Sequence, residues 1–142
     1  MLELQPDHIG KGDASSTSDH FMESDGIAYA GLHLLIDLWG AQRLDQVGFI
    51  EETLRQAVQV AEAELLHLHL HRFETGGGIS GVAVLAESHI SVHTWPERGY
   101  AAFDIFMCGQ THPEQAAQLI ERCFQPEKMS VRTYRRGLIS GG

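Results

Sequence analysis

Between Glu87 and Gly109 the chain concentrates residues that attack carbonyls, move protons and stack on rings: Glu87-Ser88-His89, His93-Thr94-Trp95-Pro96-Glu97 and Cys108-Gly109. A hydroxyl such as that of Ser88 or Ser80 becomes nucleophilic when a base such as His93 takes its proton. Cys108, beside a glycine at a strand end, suits a proton donor or a nucleophile of depressed pKa. Each residue also has a plainer use: Ser88 in a turn, His93 as a hydrogen-bonded core histidine, Cys108 as a small buried hydrophobe. Taken singly, the plainer use is favoured. No Gly-x-Ser-x-Gly elbow surrounds Ser88, which sets ordinary serine-hydrolase chemistry aside.

These residues need elements to hold them. The stretch Tyr29 to Trp39 is short, apolar and closed by Gly40, the pattern of a buried strand. Val47, Ile50, Leu54, Ala57, Val58 and Ala61 then recur at helical spacing, with Glu51, Glu52, Arg55, Gln56 and Gln59 on the other side. From Glu64 to Glu74 the period is two, with Leu66, Leu68 and Leu70 against His67, His69 and His71. Strands follow at 79–86, 90–95 and 100–107, with Pro96 to Gly99 as a hairpin turn. Thr111 and Glu114 are spaced as a capping box with Pro113 in the first turn, opening a second amphipathic helix through Ala116, Leu119, Ile120, Cys123 and Phe124. Residues 129–134 read as a last strand. The order β-α-β-β-β-β-α-β predicts an α/β (α+β) two-layer sandwich, a mainly antiparallel sheet with two helices on one face.

Residues 1–28 show no hydrophobic period and carry the run Ser15-Ser16-Thr17-Ser18, so they read as a mobile N-terminal arm, with 29–142 as a single domain. A hydrophobic content of 43% supplies one core, and a formal charge of −9 argues against a nucleic-acid partner. No stretch approaches the roughly 20 apolar residues of a membrane span, and no secretory signal opens the chain. The expectation is a cytoplasmic protein with Cys108 and Cys123 as separate reduced thiols. Three histidines on one strand face suggest zinc, but same-face neighbours stand roughly 6.6 Å apart with no acidic or thiol ligand close by. A solvated face or a subunit interface is favoured, and no metal is expected.

Taken together, Glu87-Ser88-His89, His93-Thr94-Trp95-Pro96-Glu97 and Cys108-Gly109 closely resemble the prokaryotic S-adenosylmethionine decarboxylase proenzymes. The resemblance extends from Gly31 to about Tyr134 and includes Gly31–Gly40, His71-Arg72-Phe73 and Ile79-Ser80-Gly81-Val82. It implies a self-processing pyruvoyl enzyme of spermidine and polyamine synthesis, cut between Glu87 and Ser88 into a β chain of 1–87 and an α chain of 88–142. By the same resemblance Ser88 becomes the pyruvoyl group that forms a Schiff base with substrate, His93 is the processing base, Ser80 assists processing and Cys108 is the proton donor. Phe73, Ile90, Trp95 and Glu97 match the family's substrate-binding positions, and the implied assembly is a homodimer of cleaved αβ protomers.

Two departures bear on substrate. Glu74-Thr75 and three glycines replace a Ser-Pro-x-Gly type of turn, and Met107 replaces a threonine. The alternatives are the same chemistry on ornithine or arginine, and an inactive regulatory homologue. One point of geometry stands out. Ser88 and His93 are five residues apart, so a straight strand would set them on opposite faces, roughly 16 Å apart. A bend or bulge at Ser88, or a second subunit, is the expectation.

Overall fold

The computed structural model describes residues 21–139. Its elements in chain order are β1 (Met22–Ser24), β2 (Ile27–Tyr29), β3 (Gly31–Trp39), α1 (Val47–Val60), β4 (Leu65–Arg72), β5 (Ile79–Leu85) and β6 (Ser88–Trp95). A 3-10 turn (Pro96–Arg98), β7 (Tyr100–Met107), α2 (Pro113–Phe124) and β8 (Lys128–Arg136) complete it. Strands β3 to β8 form one six-stranded sheet in the order β4-β5-β6-β7-β3-β8, with antiparallel pairing throughout. No helix among the described residues is long and apolar enough to cross a membrane.

Alternation decides which side of the sheet is covered. Leu34, Ile36 and Leu38 of β3, Ile90 and Val92 of β6, and Phe103 and Ile105 of β7 all point to one face. The apolar stripes of the two helices close over that face through Ile50, Leu54, Ala57, Ile120 and Phe124, and these residues make one continuous core. Burying a side chain the size of Ile50 or Leu54 contributes roughly 1.5–3 kcal/mol, which is why the two helices share a side. The other face of the sheet carries no helix of the described residues. The expected α/β sandwich is the observed one.

Four local expectations are corrected. Residues 22–28, expected as part of a mobile arm, belong with Tyr29 to the β1–β2 hairpin, tied down by backbone hydrogen bonds between Ala28 and Ile139. Its turn is Asp25-Gly26, both at positive φ (56° and 75°), which is the backbone a two-residue hairpin turn demands. Residues 1–20 of that expected arm lie outside the described residues. In β4 a register shift between Leu65 and His67 turns Leu66 out to 59% exposure, so Leu65 rather than Leu66 continues the inward row of Leu68 and Leu70. Thr111 does not cap α2. His112 occupies the cap position without a side-chain bond, and the Thr111 hydroxyl donates instead to the Cys108 carbonyl at 3.0 Å. Finally, β6 starts at Ser88 itself, with unbroken pairing from Leu85↔Ser88 to Ser80↔His93. There is no bulge at Ser88.

Candidate active site

The reactive residues collect at the two ends of β6. A two-residue connection, Ala86-Glu87, joins β5 to β6 and leaves Glu87 at φ 60°. That left-handed conformation is one in which a residue with a Cβ is strained, by about 1–3 kcal/mol. Strand alternation points Ser88 to the helix-covered face with Ile90, Val92 and Thr94, and Ser88 is 8% exposed. The end of β7 and the residues after it bring Cys108 alongside. The Cys108 backbone N–H donates to Ser88 Oγ at 3.4 Å, and its thiol donates to the Glu87 carbonyl oxygen at 3.0 Å. The Ser88 hydroxyl and Cys108 Sγ are 4.0 Å apart.

Burial pushes the Cys108 thiol up from its usual pKa; the Ser88 contact works the other way, and the Glu87 charge reinforces the rise. The thiol therefore keeps its proton near neutrality, which corrects the reading of Cys108 as a nucleophile of depressed pKa. A cleft of about 350 Å³ opens at this end, walled by Glu62, Glu64, Glu87, Cys108, Gln110 and Thr111.

At the other end His93 faces the uncovered side of the sheet. Its Nδ1 shares a hydrogen bond of 2.9 Å with Ser80 Oγ, as their cross-strand pairing dictates. Phe73, Ser80, His93, Trp95 and Glu97 line one pocket of about 270 Å³. Rings surround it: His71 meets Phe73 edge-on at 4.6 Å, and Trp95 leans on Tyr100 at 5.2 Å. Tyr100 donates to Asp37 at 2.6 Å, and that bond, with burial and the Asp37 charge, raises its pKa to about 12.

The structure thus joins Glu87, Ser88 and Cys108 in one group, and Phe73, Ser80, His93, Trp95 and Glu97 in another. Ile90 joins neither: it is fully buried in the core opposite Ala83 and Ile105, because its place in the β6 alternation is the helix-covered face. Within the one chain His93 is not beside Ser88.

Sequence reasoning missed a third group. On the open face Asp104 accepts hydrogen bonds from His33 Nε2 at 2.6 Å, His89 Nε2 at 3.1 Å and the Ser91 hydroxyl. Burial raises the Asp104 pKa, but the bonds from Ser91, His33 and His89 outweigh it and hold the carboxyl below its ordinary value. The available signal was an acid inside an apolar strand, Phe103-Asp104-Ile105. By contrast His67, His69 and His71 lie exposed along β4, and among the described residues only His33, His89 and Asp104 converge as metal ligands would.

A family model described as S-adenosylmethionine decarboxylase matches residues 32–137. A proenzyme of that name from Thermomicrobium roseum is 44% identical over 110 residues, 77% of this chain and 95% of the relative. One from Methanococcus maripaludis is 46% identical over 115 residues, 79% of this chain and 93% of the relative. The crystal structure of the adenosylmethionine decarboxylase from Aquifex aeolicus superposes with a TM-score of 0.72 at 34% identity, covering 80% of this chain and 96% of that one.

Proposed function

The chain belongs to the S-adenosylmethionine decarboxylase family, and on that premise we propose that it cuts itself at Glu87-Ser88 and then removes the carboxyl group of S-adenosylmethionine for polyamine synthesis. The observation that carries this reading is the Cys108 thiol donating, at 3.0 Å, to the carbonyl of the bond to be cut. A donor on that oxygen polarises the carbonyl and stabilises the charge that develops when Ser88 Oγ attacks it. The amide becomes an ester. A base then takes the Ser88 α-proton, Glu87 leaves as a carboxylate carrying the serine oxygen, and hydrolysis of the remaining dehydroalanine releases ammonia. The residues present suit the formation of a pyruvoyl group: a serine following a strained residue, with a protonated donor on the scissile carbonyl.

At residue 88, beside Cys108, that group would supply an electrophilic ketone, the chemistry that binds a substrate amine and takes up the electron pair left by CO2. Cys108 then acts a second time. A thiol held protonated at neutral pH, beside residue 88, has a proton to return to the substrate α-carbon. The ring-lined pocket of Phe73 and Trp95 suits the adenine, and Glu97 the ribose hydroxyls.

The same chain cannot deliver His93 to Ser88, because five residues of strand separate them by roughly 16 Å and the alternation points them to opposite faces. A homodimer removes the difficulty. The open face presents Leu35, Trp39, Val84, Trp95 and Tyr134 to solvent, an apolar surface suited to a second copy. A two-fold axis lying between the two facing sheets, perpendicular to β6 and opposite its midpoint, would set the His93 end of one protomer against the Ser88 end of its partner. The cytoplasm suits both reduced thiols.

Denaturing mass spectrometry should find two chains, one ending at Glu87 and one beginning with a pyruvoyl group, and CO2 should come from adenosylmethionine in preference to ornithine or arginine. A single intact chain would sink the self-cleavage. Refolding His93→Ala chains together with Ser88→Ala chains tests the partner's part: the first should regain cleavage only in the mixture.

A further inference from the structure

Maturation as proposed above strips residue 88 of what holds it. Its hydroxyl departs with Glu87, and with it both contacts to Cys108. Its amide nitrogen departs as ammonia, so the N–H at that end of the β5–β6 ladder is lost as well. A strand with a fresh free end frays unless something ties it down. The first side chain beyond the cut is His89, and it is bound across β7 to Asp104. Asp104 is bound in turn by Ser91 from the same strand and by His33 from β3, so three strands meet on one carboxylate. Arg136 of β8 completes the chain: it donates to His33 Nδ1 at 2.9 Å.

We propose that the His89–Asp104–His33 cluster is a clamp that keeps the new end of the α chain, and the reactive group on it, in register on the sheet after cleavage. The inference rests on the self-cleavage reading. Its logic is one of timing. While the chain is continuous, the 86–87 connection fixes the start of β6 whether or not the clamp exists. After the cut that connection is gone, and the clamp is what ties the first side chain of the new end to the neighbouring strands. His89, Asp104 and His33 are positioning residues, because none of them touches Ser88 or Cys108.

A metal on the same three ligands is a competing occupant, since their ligating atoms lie within 4.8 Å of one another. The hydrogen-bond pattern disfavours it. A guanidinium can only donate, so His33 Nδ1 accepts from Arg136 and the proton sits on Nε2, where it is given to Asp104. The nitrogen a metal would need is thus occupied, and 2.6 Å is closer than two ligands stand around a zinc ion with bonds of about 2.0–2.2 Å.

The test compares His89→Ala in two backgrounds. In the otherwise wild-type protein, self-cleavage should run to completion while kcat falls by about ten- to a hundredfold, the scale of losing a hydrogen bond to a charged group, with KM little changed. Hydrogen exchange at the amides of residues 90–92 should accelerate. In the uncleavable Ser88→Ala background the same substitution should leave that exchange unaltered. His89→Gln, whose amide can still donate to Asp104, should restore most of the kcat. Equal acceleration in both backgrounds would make the cluster a general prop of the sheet and overturn the clamp. So would a loss of activity reproduced in the wild-type protein by prior treatment with EDTA, which would mean that a metal holds the cluster. A wild-type chain that never cleaves would instead overturn the maturation reading itself.

Discussion

The two ends of β6 use the same strand in opposite ways. At the Ser88 end the working groups are tucked toward the helices and held by backbone: an N–H on a hydroxyl and a thiol on a carbonyl, around a strained Glu87. At the Trp95 end they lie on the open face and are held by side chains: a serine on a histidine, with rings leaning on rings. The first arrangement fixes one covalent bond in one geometry, which is what a single irreversible cut requires. The second leaves a shaped, open pocket, which is what repeated binding requires. The proposed function draws on both ends at once, with His93 serving the cut and residue 88 with Cys108 serving turnover, which is why it calls for a second protomer to bring the halves together.

That contrast can be broken at several points. The largest effect belongs to Ser88→Ala, which should abolish both chain cleavage and CO2 release, read by mass spectrometry and by trapped CO2. Residual CO2 release in that variant would show that the tip of the hairpin is not where chemistry starts. Cys108→Ala should divide the two reactions. Cleavage has to happen only once and should still finish, because an S–H is a weak donor and its loss from the scissile carbonyl costs less than the roughly hundredfold of a full oxyanion donor. Turnover, by contrast, should fall by about 10²–10⁴ for loss of a proton donor. Equal effects on both rates would remove its second role. Trp95→Ala should spare cleavage entirely and weaken substrate binding by about tenfold, as expected for a lost ring stack; the readout is KM.

The smallest effect lies beside the ring pocket. Tyr100→Phe should cost about 1 kcal/mol, the net worth of its bond to Asp37. The Tyr100 pKa is raised from 10.0 to about 12, so the folded state favours the protonated phenol. Its contribution to stability is complete below pH 10 and disappears as pH climbs toward 12, because the folded state resists an ionisation that the unfolded chain allows. Denaturant titrations across that range should show the wild type losing more stability than Tyr100→Phe. Parallel curves would show that the bond to Asp37 contributes nothing.

Much of the fold was legible because it is local. The helix of Val47–Val60 follows from apolar residues at helical spacing, and the pairing of Ser80 with His93 follows from a hairpin centred between Ala86 and Glu87. The β1–β2 hairpin is equally local: Asp25-Gly26 is a strong turn signal, masked by its polar, serine-rich neighbourhood. The bulge in β4 was not legible, because Leu65 and Leu66 are chemically alike and only pairing with Leu85 and Val84 decides which one turns inward. The bond from Thr111 to Cys108 was beyond reach for the same reason. A capping box reads correctly by spacing, but the carbonyl at the end of β7 competes for the hydroxyl.

The sequence by itself determined the residue types and the period-two pattern that sorts them between faces, and its motifs pointed to the family and to the Glu87-Ser88 bond. Only the tertiary structure decided what each group meets. It set the thiol of Cys108 on the Glu87 carbonyl across 21 residues of chain, and gathered Asp104, His89 and His33 from three strands. The physical reason is that alternation is a property of one strand, readable along the chain, whereas contact depends on the register between strands, which the whole packed sheet fixes at once.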